Sequence, residues 1–188
     1  MSGHSKWANI KRKKEVNDAK KGKVFSKYAR LITVAARQGG GDASANPVLR
    51  LAIERAKEAR MPKENIERAI HKGVGGTTDD RNFDEVTYEG YGPFGVAFLI
   101  RGLTDNKNRT VSEIRNIFSK ANGALGSAGG TSYIFLPDPQ TPSYLVTINS
   151  IDDAKKVLNL VDLLEDHDDI TEVFANYSIS DELMEACV

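Results

Sequence analysis

The apolar residues of this chain keep a helical period through residue 70 and then change it, and that change divides the chain. Phe25, Tyr28, Leu31, Ile32 and Ala35 recur at helical spacing, as do Leu49, Ala52, Ile53 and Ala56, then Ile66, Ala69 and Ile70. Each set lays one apolar stripe along a helix. From residue 83 onward, strand-length runs take over, interrupted by two further helical stripes. Between the two patterns lies Gly73 to Asn82, a Gly-, Thr- and Asp-rich stretch of linker composition. The expected organisation is a helical domain over 1–72, a linker over 73–82 and an α+β domain over 83–188.

Local punctuation supports this division. Gly39-Gly40-Gly41 stops a first helix over 24–37. Asn46 can cap a second helix with Pro47 at its first position, and Met61-Pro62 ends it. A third helix is expected to close with Gly73 at C′ and to carry a favourable Glu64–Arg68 pair. Three helices with short connections predict a small bundle. In the second domain, strands over 83–91 and 94–103 flank Gly92-Pro93. Thr110-Val111-Ser112-Glu113 reads as a capping box opening a helix. Strands over 131–136 and 143–149, a helix over 151–165 and a strand over 170–179 complete the order ββαβ–βαβ. The fold class is therefore α+β: a three-helix domain, then a ferredoxin-like domain with helices on one face of a largely antiparallel sheet.

Charge follows the same boundary. The whole chain has 26 Lys and Arg against 26 Asp and Glu, but residues 1–72 hold 18 of these bases and 7 of the acids, a net of +11. Residues 73–188 carry the opposite net of −11. The densest stretch is 1–40, where Lys6, Lys11, Arg12, Lys13, Lys14, Lys20, Lys21, Lys23, Lys27, Arg30 and Arg37 face 2 acids. A run of one sign repels itself, whereas a face serving solubility alone mixes signs. Dense cations instead bind polyphosphate by releasing its condensed counterions. These eleven residues are the expected nucleic-acid contacts, together with Trp7. For Trp7 two roles stay open, anchoring the basic arm onto the bundle or stacking on an exposed base. Phe25 and Tyr28 lie on the apolar stripe and are expected in the core.

Other chemistries find no support. Gly73-Val74-Gly75-Gly76 and the glycine-rich stretch from Gly123 to Gly130 each follow a helix, the reverse of a phosphate-binding loop, and read as turns. His4, His71 and His167 are scattered, and the single Cys187 rules out an intramolecular disulfide and a cysteine-rich zinc site. The acidic run Glu165 to Asp169 lacks the spacing of a calcium loop and reads as a solvated loop. Neither a catalytic set, a cofactor, a metal nor a small-molecule substrate is expected. No apolar run reaches the ~18 residues of a membrane helix. The single thiol fits a reducing compartment, and the Lys-rich N-terminus lacks a secretory h-region. A cytoplasmic location is expected. Residues 138–188 hold 12 acids against Lys155 and Lys156; that surface repels phosphate, meets a basic partner such as a ribosomal protein, or serves solubility.

Several motifs together resemble the YebC/PmpR family. They are Gly3-His4-Ser5-Lys6-Trp7-Ala8-Asn9-Ile10-Lys11, Asn46-Pro47 with Leu49-Arg50-Leu51-Ala52-Ile53, and Met61 through Ile70. Tyr88-Glu89-Gly90-Tyr91-Gly92-Pro93 and Leu103-Thr104-Asp105-Asn106-Lys107-Asn108-Arg109-Thr110 extend the likeness. The resemblance implies an N-terminal helical domain followed by two α/β domains, the third inserted within the second. It also implies a DNA-binding transcriptional regulator or, alternatively, a ribosome-associated translation factor binding ribosomal RNA, the family including mitochondrial translational activators. The sequence departs from the pattern where the insertion belongs. Only Leu136 to Ser143, three of them proline, separate Phe135 from Tyr144, so the third domain is expected to be absent.

Overall fold

The structure, a computed structural model, describes Trp7, residues 18–75 and residues 83–187, with side chains from residue 22 onward in the first of these stretches. It divides into two compact units, one spanning Asn17–Phe83 and the other running from Asp84 onward and including Trp7.

The first unit holds helices α1 (Asp18–Gly39), α2 (Pro47–Glu58) and α3 (Lys63–Val74). One buried side chain organises two of their ends. Asn46 accepts the Leu49 N–H at 3.0 Å, which starts α2, and donates to the carbonyls of Ala35 and Gly40, which finishes α1. The core is built of small and medium residues, among them Ile32, Ala35, Leu49, Ala52, Ile66 and Ala69, with Phe25 and Tyr28 packed at its edge.

Gly73 departs from expectation. It lies inside α3, which continues to Val74 and is capped by Gly75. A Cβ at Gly73 would sit 2.5 Å from the Thr33 carbonyl oxygen and 2.7 Å from the Ala36 Cβ, so the residue is small to let α1 and α3 touch, not to end a helix. Beside it, the Thr33 hydroxyl donates to the Ala69 carbonyl at 3.0 Å. Gly73→Ala is expected to destabilise this unit by about 1–3 kcal/mol through overpacking. Chemical denaturation followed by helical circular dichroism measures it, and a neutral or stabilising result would contradict the close contact.

In the second unit, β1 (Asp84–Tyr91) and β2 (Ala97–Thr104) form the expected hairpin, followed by α4 (Lys107–Lys120) and the short β3 (Ala124–Leu125). Then come β4 (Val146–Ile148), α5 (Ile151–Glu165), β5 (Ile170–Ala175), β6 (Tyr177–Ile179) and α6 (Asp181–Ala186). The α+β class holds, but the strands split between two sheets. One is antiparallel in the order β3-β1-β2-β5, and the other is a parallel pair of β4 and β6. Helices α4 and α5 cover one face of the larger sheet, burying Phe98, Ile100, Ile114, Phe118, Leu158 and Val173. Ile134 and Phe135 cover Ala97 and Leu99 on the other face.

Three local differences from the sequence reading in this unit have a polar cause. Residues 132–135 form a 3-10 turn rather than a strand, because the N–H groups of Thr131 and Ser132 point at the Glu89 carboxylate instead of a neighbouring strand. The strand expected over 170–179 breaks at Asn176, whose side chain accepts the Ala97 N–H and donates to the Tyr144 carbonyl. That buried amide hands the chain from one sheet to the other. Helix α4 begins one turn before the expected capping box, with Asn106 as its cap.

Trp7 answers neither role left open for it. It is 4% exposed within the core of the α+β unit, and its indole N–H donates to Asp162 on α5 at 2.9 Å. A buried indole whose only polar group is engaged cannot stack on a base, so Trp7 leaves the set of expected contacts.

Candidate nucleic-acid interface

Of the expected contacts, Lys6, Lys11, Arg12, Lys13 and Lys14 lie outside the described residues. Lys20 and Lys21 fall on α1 without described side chains. Lys23 and Arg37 are exposed on α1, while Lys27 and Arg30 are half-buried. Ser26, Arg30, Thr33 and Arg37 follow one another at helical spacing and share a face of α1. That face lies against α3, where Asn65, Arg68, Ala69 and Lys72 repeat the same spacing.

Between the two helices is an open groove of about 480 Å³. Arg30 and Arg37 come to it from α1, and Arg68 and Lys72 from α3; among the described residues that line it, none is acidic. Its apolar lining is Phe25, Ala29, Met61, Ala69 and Phe83, beside the polar Ser26, Thr33 and Asn65. The Arg30 guanidinium lies over the Phe83 ring, 4.9 Å from the centroid, a cation–π contact that fixes its position on the wall. Sequence reading missed Arg68 and Lys72 because it weighed charge density along the chain. The available signal was the shared helix face of residues 65, 68 and 72.

The acidic unit contains two other polar clusters, and both have their donors and acceptors engaged internally. At the first, Asp169 is buried, correcting the reading of its run as a solvated loop. Its Oδ2 accepts from Arg109 at 2.7 Å, from Thr110 at 2.7 Å and from Thr104 at 3.1 Å. Burial alone would raise this carboxyl, yet these donors outweigh it and hold the pKa at about 2. Glu113, His167 and Asp169 bring their ligand atoms within 4.8 Å of one another. However, the Asp169 N–H donates to His167 Nδ1, which leaves the ring proton on Nε2, 2.9 Å from Glu113. A cation there would have to displace both that proton and the Arg109 guanidinium.

The second cluster explains the glycine-rich stretch. The N–H groups of Gly129, Thr131 and Ser132 converge on the Glu89 carboxylate at 2.6–2.8 Å. Converging backbone donors of this kind bind anions, but here the chain's own buried Glu89 fills the place.

Comparison with known proteins places this architecture. Residues 5–76 match the TACO1/YebC protein N-terminal domain and residues 83–137 the TACO1/YebC second and third domain. A "probable transcriptional regulatory protein" of Dictyoglomus thermophilum is 42% identical, the alignment covering 99% of each chain. The chain belongs to the YebC family. A relative in Persephonella marina bearing the same description is 41% identical over 98% of this chain and 99% of its own. The crystal structure of a conserved hypothetical protein of Aquifex aeolicus, Aq1575, superposes with a TM-score of 0.74 at 36% identity, covering 87% of this chain and 93% of that one.

This YebC chain is short for its family. The alignment with the Dictyoglomus relative runs over 248 positions against the 188 residues present here. The second-domain match stops at residue 137, and the Ser143 N–H donates to the Ile134 carbonyl at 2.7 Å. The segment standing where the family carries its inserted domain is thus a short loop closed on itself.

Proposed function

We propose that this protein is a non-enzymatic regulator of gene expression, acting in the cytoplasm on DNA through the cationic face of its helical unit. The observation that carries this reading is the convergence of Arg30 and Arg37 with Arg68 and Lys72 across one groove. The names of its YebC relatives, probable transcriptional regulatory proteins, agree with it. Lysine outnumbers arginine in residues 1–40, and a lysine holds phosphate as a point charge without reading a base edge. Binding should therefore tolerate many sequences. The acidic unit, repelled by phosphate, leaves docking to the helical one.

If about six phosphates of duplex DNA are neutralised, the log–log dependence of affinity on salt should have a slope of roughly −5. Fluorescence anisotropy across a salt series measures it, and a slope near zero would remove the electrostatic basis. Arg68→Ala and Lys72→Ala should each reduce the slope by about 1, weakening binding to unrelated sequences alike. Sedimentation of the protein with ribosomes, resistant to DNase and lost with RNase, would instead assign it to ribosomal RNA.

A further inference from the structure

Phosphate binding accounts for the cations of the α1–α3 groove but not for its apolar lining. A duplex presents phosphates and base edges, and cations alone would suffice to hold it. Here the cations share the groove with apolar Phe25, Met61 and Phe83. The groove is open and has a volume of about 480 Å³, so it would hold part of a ligand with the rest exposed. Apolar surface beside positive charge suits a ligand with a flat apolar body and an anionic edge. A nucleotide whose base has left the stack has both.

We infer that the groove between α1 and α3 seats one unpaired nucleotide of a bound strand, with its base against Phe25, Met61 and Phe83 and the flanking phosphates on Arg30, Arg37, Arg68 and Lys72. This deepens the reading of the helical unit as a nucleic-acid binder and rests on it. Two features support the assignment. The cations come from both helices, so phosphates on either side of an extruded base meet positive charge. Phe83, held by Arg30 at 4.9 Å, adds an aromatic ring to the groove, and a base gains from contact with aromatic side chains whatever its identity. The groove therefore selects for an unpaired state rather than a sequence. Bulged, looped or frayed sites should be preferred over continuous duplex.

The test compares three fluorescein-labelled 20-bp DNA duplexes by anisotropy with the full chain: fully paired, bearing one bulged adenosine, and bearing one abasic bulge. The two bulged probes carry equal phosphate and similar flexibility, so their difference isolates the base. The adenosine bulge is expected to bind about 5- to 150-fold more tightly than the abasic one, the worth of one base–aromatic contact. Phe83→Ala should pull that ratio toward one, and Arg68→Ala should weaken all three probes together. Equal affinity for the two bulges with a steep salt slope overturns the inference and leaves the electrostatic reading standing. A slope near zero on every probe overturns both. Because the comparison between bulges uses the unaltered protein, it holds even if a variant folds poorly.

Discussion

Replacing Glu89 by alanine is expected to lower the unfolding free energy of the α+β unit by about 3–5 kcal/mol. The carboxylate accepts three backbone N–H groups in a site only 7% exposed, and each orphaned buried donor costs about 1–3 kcal/mol, less whatever water recovers. Burial pushes the Glu89 carboxyl up, but the N–H groups of Thr131, Gly129 and Ser132 outweigh it and hold it below the ordinary value. The damage should spread. Thr131 and Ser132 start the turn that seats Ile134 and Phe135 beneath the sheet, so releasing them loosens that face. In a thermal melt the loss corresponds to a fall on the order of 15 °C for a unit of this size. A shift of only a few degrees would mean that the internal carboxylate does little for stability.

Asp169→Asn is the second large effect, and it carries a signature in pH. The variant keeps the shape but loses the charge that Arg109, Thr104 and Thr110 converge on, and removing one partner of a buried pair costs about 3–5 kcal/mol. Arg109 keeps 44% of its side chain exposed, so water can solvate it and the lower figure applies. The folded carboxyl titrates near 2 against an ordinary 3.8. A depressed carboxyl contributes stability above its unfolded pKa and loses it as pH falls through the folded one. About 2 kcal/mol should therefore fade between roughly pH 4 and pH 2 in the native protein. Asp169→Asn should lack that component, so the two stability curves should converge in acid. Parallel curves across this range would show that Asp169 is not the group responsible.

Much of this was legible in the sequence because it was written in periodicity and caps. Helix α5 occupies the residues expected of it, and Asn46-Pro47 opens α2 as read. The fold class followed from the order of the elements. Three misreadings fall where a polar side chain acts across long sequence separation. Glu89 reaches Thr131 from 42 residues away and turns a stretch of strand-like composition into a 3-10 turn. Asp169 claims the Thr110 hydroxyl from 59 residues away, so that threonine serves a tertiary bond inside α4 rather than a cap. Trp7 stands among lysines in the sequence, yet its partner Asp162 is 155 residues distant. At the candidate interface, Arg30 and Arg37 could be named from charge alone. Arg68 and Lys72 could not, because their membership depends on which face of α3 meets α1.

That meeting gives Gly73 a meaning beyond packing. Where α1 and α3 approach, the smallest possible side chain stands between their backbones, and this sets how far apart the two rows of cations run. The pair works like rails laid to a gauge, fixed by a residue that carries no charge and touches no ligand. Adding a methyl group there would respace Arg30 and Arg37 against Arg68 and Lys72 without altering any of them. On the proposed reading of the groove, preference for one form of nucleic acid would be tuned from a position that an inventory of charged residues would pass over.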